Sequence, residues 1–169
     1  MARKIYGRTL LELMSVLAIL SILLTVALPN MRSLMQGNER TQAVNQMVSL
    51  LHHIRSQAVF ARGIVTLCPG TAQCSGSQHW QGDLLLFLDH NGNGQLDGQD
   101  RLLHQAKIAA NRSWRWNRSN GHIQYEADGS TRALNGTLTL CRGGEPQHQV
   151  VIALTGRVRH QTPAQGASC

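Results

Sequence analysis

The sequence has no HExxH, GxSxG, Walker or dinucleotide-binding glycine pattern, and its eight histidines are scattered. Spacing therefore offers no zinc protease, serine hydrolase, P-loop or Rossmann site, and catalysis is not expected. No CxxC or Cys/His cluster with zinc-finger spacing is present either. Charged residues make up only 15%, aromatics 4%, and prolines number four. That composition excludes a chain disordered throughout, and collagen-like or low-complexity sequence. The 169 residues allow one folded domain with an appended segment.

Acidic side chains are scarce too: nine Asp and Glu stand against sixteen Lys and Arg, a formal net charge of +7. The excess is not spread evenly. Residues 30–100 carry four basic and five acidic side chains, whereas residues 101–169 carry nine basic and three acidic. Nearly all the basic residues are arginine, whose planar fork suits phosphate, so an acidic partner such as nucleic acid or anionic lipid is worth testing.

What the sequence has in abundance lies at its start. From Thr9 to Leu28 it reads TLLELMSVLAILSILLTVAL, with Glu12 as the one ionisable group, about the length needed to cross a bilayer. The basic leader MARKIYGR before it would stay in the cytoplasm by the positive-inside bias, sending the rest across. Three readings fit. One is a cleaved secretory signal with Thr25-Val-Ala27 as the small-residue site. Another is a signal anchor in which Thr9-x-x-Glu12 closes a capping box.

The third reading accounts for both the glycine and the glutamate. Gly7-Arg8-Thr9-Leu10-Leu11-Glu12, an apolar run and Pro29 resemble the class III signal of type IV pilins and pseudopilins. That resemblance implies a prepilin peptidase cutting after Gly7, methylation of the new N-terminus at Arg8, and Glu12 as the fifth mature residue. A carboxylate in low dielectric needs a cation. The resemblance supplies one in the α-ammonium of a neighbouring pilin, while Arg8, four residues before Glu12, is an intrachain alternative.

After Pro29, Val44, Met47, Val48, Leu51, Ile54, Ala58 and Ala61 recur at helical steps, predicting an amphipathic helix that ends before Gly63. Short β-rich runs then follow, at 64–68, 84–88, 101–107, 113–117, 122–125, 137–141 and 149–154, separated by glycine, asparagine and proline. A long N-terminal helix followed by antiparallel strands is an α+β pilin architecture. The segments TLCPGTAQC and FLDHNGNGQLDGQDRLL further resemble the GspH/FimT/FimU branch of that family. The expected divisions are a leader at 1–7, a transmembrane helix at 8–29, its amphipathic continuation at 30–62, a β domain at 63–155 and a C-terminal tail at 156–169. The resemblance places the chain in the inner membrane by a single pass, with its C-terminal domain in the periplasm, and outside the cell once assembled.

Four cysteines allow three pairings, and an oxidising exterior favours disulfides. Cys68 with Cys74 would close a small loop, and Cys141 with Cys169 would tether the C-terminal segment, with a loop-closure gain of roughly 3–4 kcal/mol.

Two further motifs could carry chemistry. Asp89, Asn91, Asn93, Asp97 and Asp100 occupy positions 1, 3, 5, 9 and 12 of an EF-hand-like spacing, with Gly94 at 6. Calcium is one reading. The other is a metal-free turn, because asparagine, aspartate and glycine bond their own backbone. The second motif is Gly156-Arg157-Val158-Arg159. In an extended backbone the two arginines point the same way, about 6.5–7 Å apart, near the spacing of successive phosphates. Gly156 lets the chain turn out of the sheet without a Cβ clash.

This GRxR stretch resembles the signature of DNA-binding minor pilins within the same branch, implying phosphate contacts at Arg157 and Arg159. Arg115 and Arg118 could widen the footprint. They interleave with Trp114 and Trp116, which either stack on bases or alternate into the core with Arg115 facing solvent. Two functions are therefore expected to compete: a minor pilin that binds DNA for natural transformation, and a purely structural pilin or pseudopilin whose partners are other pilins. No cofactor is called for, calcium at the Asp89 loop aside.

Overall fold

The computed structural model describes residues 10–169, so the processing motif at Gly7 and Arg8 lies outside the described residues. Helix α1 runs from Leu10 to Ala61, continuing through Pro29 although proline offers no amide to the ladder. The chain divides after Glu39 into two compact units. In the first, the described large apolar side chains are exposed, Leu10 at 77% and Leu11 at 78% among them. The hydroxyls of Ser15, Ser21 and Thr25 donate to the carbonyls three residues earlier at 2.7–2.8 Å, so these polar groups are satisfied within the helix. Among the described residues no helix is long and apolar enough to cross a membrane.

The second unit, residues 40–169, is a helix segment over two antiparallel sheets. The strands are β1 (Val65–Pro69), β2 (His79–Trp80), β3 (Asp83–Leu88), β4 (Arg101–Lys107), β5 (Ser113–Trp116), β6 (Ile123–Tyr125), β7 (Gly136–Arg142), β8 (Glu145–Ile152) and β9 (Val158–Gln161). One sheet has the order β4-β3-β1-β6 and the other β2-β5-β7-β8-β9. Most of the helical stripe lands where its period places it, but Ala61 is exposed and Val48 only half-buried. Val44, Met47, Leu51, Ile54 and Ala58 are buried against Val65, Leu67, Tyr125, Trp116, Leu138 and Val150 from both sheets. Arg62, at φ 51°, ends the helix, and the amide of Gly63 caps it by donating to the carbonyl of Ala58 at 3.2 Å.

Seven strands fall where β-rich runs are expected, and two arise elsewhere. β2 is only two residues long, below what alternation can reveal. β9 forms within the segment expected as a tail, because its amides pair with β8: Ile152 opposes Val158, Val151 opposes Arg159 and Val150 opposes His160. Gly156 therefore returns the chain to the sheet edge rather than leading it away. Both disulfides join the expected partners, Cys68 with Cys74 and Cys141 with Cys169.

Candidate nucleic-acid interface

Strand alternation settles which way the C-terminal arginines face. Trp116, Leu138 and Val150 form one cross-strand row that is buried toward α1, and His160 continues it at the edge. Arg159 lies opposite Val151 and beyond it Thr137, so it belongs to the face turned away from the helix. Arg157, two residues earlier, shares that side. Both are exposed. Together with Asn135, Val151, Leu154 and Thr155 they line an open groove of about 600 Å³. Among the described residues no carboxylate pairs with either guanidinium.

The turn that carries them is held from several sides. The amide of Ala153 donates to the carbonyl of Arg157 and that of Gly156 to the carbonyl of Ala153, each at 2.9 Å. Arg55, from α1, donates to the Thr155 carbonyl at 3.2 Å, and Thr131 bonds the carbonyls of Ala153 and Leu154. Gly156 is buried at φ +75°, and a Cβ there would lie 1.9 Å from the Gly129 carbonyl oxygen. Its part in the motif is thus to let two loops touch, not to contact a ligand. The Tyr125 hydroxyl sits 3.4 Å from the Gly156 carbonyl, and burial pushes its pKa up to about 12, so it stays a neutral donor there.

The other candidate arginines are engaged. Arg118 donates through Nε to the Asn135 carbonyl at 2.7 Å and through Nη2 to Asn135 Oδ1 at 3.0 Å. It thereby adjoins the groove that Asn135 lines. Arg115 is half-buried; its Nη1 reaches the carbonyl oxygen of Cys169 and His79 Nε2, both at 3.1 Å. It helps bring the C-terminal segment back over the sheet, aided by Ala164, whose amide donates to Gln149 Oε1. The segment expected as a tail is tied down along this path. Trp114 and Trp116 are buried at 2% and 0% exposure, which overturns the base-stacking reading and leaves alternation into the core. Sequence gave no cue to Arg55, Tyr125 or Asn135, because the contacts that join them to the turn cross up to 100 residues.

The Asp89 loop is built quite differently. The Asp89 carboxylate is buried and accepts five hydrogen bonds, from the amides of Gly92, Asn93 and Gly94, the Thr66 hydroxyl and Gln124 Nε2, at 2.7–3.2 Å. Asn91 and Asn93 turn their Nδ2 groups, not their oxygens, to Asp97, while Asp100 accepts from the amides of His90 and Asp97. The Gln99 amide and those two asparagines hold the Asp97 carboxyl below its usual pKa. These oxygens hold a turn over the outer face of β1 rather than converge on an ion position, the metal-free alternative.

The sequence model of the family described as type II transport protein GspH matches residues 43–156. The chain belongs to the GspH family. This GspH-family chain is also similar in fold to crystal structures of the type IV minor pilin FimU from Pseudomonas aeruginosa. One matches at TM-score 0.60 and 18% identity over 79% of this chain and 95% of that one. A second crystal form matches at TM-score 0.58 and 16% identity over 72% and 91%. No curated protein matches the sequence. The family match ends at Gly156, so the arginine pair lies just beyond the part that defines membership.

Proposed function

We propose that this GspH-family protein is a minor type IV pilin that binds extracellular DNA, with little sequence preference, for uptake in natural transformation. The observation carrying this reading is the pair of exposed, carboxylate-free arginines on a braced turn at the sheet edge. Phosphate contacts made there position DNA without reading bases, and affinity should come largely from counterion release. Arg118 contributes charge at the groove margin. Arg115 acts by fixing the C-terminal segment.

Before assembly the apolar N-terminal helix holds the protein in the inner membrane, with the β domain in the periplasm. A run apolar on all sides, with its hydroxyls satisfied internally, suits lipid or the flanks of neighbouring pilins. Prepilin peptidase cleaves after Gly7, and Glu12 takes the α-ammonium of an adjacent subunit. The decisive test is genetic. Cells producing Arg157→Ala with Arg159→Ala should assemble pili yet lose DNA uptake; normal transformation in such cells would refute the assignment.

A second reading, a structural pilin or pseudopilin of a pilus or type II secretion filament, is favoured by the GspH match itself. Loss of filaments on deletion, with no DNA retained by the purified protein at low salt, would select it.

A further inference from the structure

The edge strand β9 carries basic groups on both sides. Opposite the arginine groove, Arg40, Thr41, Val44 and Asn45 from two successive turns of α1, His148 from β8 and His160 from β9 enclose a half-open cavity of about 140 Å³. His148 Nε2 faces His160 Nδ1 at 3.2 Å, and the rings lie 5.4 Å apart at 37°. Among the described residues no carboxylate lines the cavity.

With both rings neutral, one ring nitrogen donates to the other. With both protonated, two N–H groups oppose each other beside the fixed charge of Arg40, an arrangement only an anion can relieve. The guanidinium fork, the Asn45 amide and the two ring N–H groups are donors of the kind that hold a phosphate oxyanion. A divalent metal, the other ligand two imidazoles favour, would have to enter against Arg40.

We propose that this cavity is a proton-coupled phosphate site, filled by a backbone phosphate of DNA lying along the β9 edge. The assignment of DNA as source rests on the function proposed above; the oxyanion chemistry does not. The titratable and charged groups facing the site are Arg40 from α1, His148 from β8 and His160 from β9. Burial, then His160, then Arg40 keep His148 below its usual 6.5, so His148 is neutral near neutrality. A bound oxyanion pulls protons onto the two histidines, and affinity rises as pH falls.

The test uses the full chain in detergent micelles, with ring resonances of the histidines followed by NMR from neutral to acid pH. Sodium phosphate, against sodium chloride of equal ionic strength, should raise the midpoints of His148 and His160 by about 0.5 pH unit or more. His52 and His90 should not move, and Arg40→Gln should abolish the shift. In parallel, wild-type protein should bind DNA about fivefold more tightly at pH ~6 than at pH ~7.5, and His148→Gln with His160→Gln should lose most of that gain. Equal midpoints in phosphate and chloride would overturn the site. A phosphate response with DNA binding of unchanged pH dependence would overturn DNA as its source and assign free phosphate. A phosphate response in a protein that binds no DNA at any pH would refute the function proposed above and leave the site standing.

Discussion

The Asp89 loop and the Arg157 turn are the two places where the sequence concentrates charge in a recognisable motif, and the structure uses them in opposite ways. In the loop each carboxylate accepts hydrogen bonds from the loop's own amides and side chains, so its charge is consumed in making the fold. At the turn the hydrogen bonds run between backbone groups and distant anchors, and the two guanidinium groups take no part. A charged motif is available for binding when its backbone is fixed by something other than the charges themselves.

That contrast can be broken most sharply at Asp89. Asp89→Ala removes the acceptor of five hydrogen bonds, three of them buried, and should cost about 3–5 kcal/mol in unfolding free energy, read by urea denaturation, with no loss of DNA affinity in the protein that remains folded. Gly156→Ala comes next. The added methyl meets the Gly129 carbonyl at positive φ, and roughly 3 kcal/mol of stability should be lost along with DNA binding, because the turn must move.

A third prediction separates folding from binding by pH. Burial holds His122 below its usual 6.5. The unfolded chain therefore takes up the proton first as pH falls, and stability present above about 6.5 is lost as pH drops through the folded value. The melting temperature should be level near neutrality and decline in acid, with His122→Gln flattening the decline. The smallest effect belongs to Arg118→Ala. Because Asn135 already holds that guanidinium, DNA affinity should weaken only about twofold, measurable by fluorescence anisotropy.

Much of this molecule was legible beforehand. The helix stripe was readable because Val44, Met47, Leu51, Ile54 and Ala58 repeat with the helical period, and seven strands because β-branched and apolar runs sit between turn residues. β9 was not, since Val-Arg-His-Gln has no apolar pattern and gains its strand only from pairing with β8. The arginine pair could be read as a motif, but its freedom could not: that depends on Arg55, Thr131 and Tyr125 bracing the turn from far along the chain. The calcium spacing shows the converse. Asp89 to Asp100 match a ligand pattern, yet where each oxygen points is fixed by the backbone of the loop, which spacing does not encode.

The central claim is that charge left unpaired at the β9 edge holds DNA phosphates. It is tested most directly by the salt dependence of duplex binding, comparing wild-type protein with the Arg157→Ala, Arg159→Ala double variant. The account predicts that the variant melts like wild type, binds about a hundredfold more weakly, and shows a log K against log salt slope shallower by about two. Equal affinity and equal slope for the two proteins would contradict it.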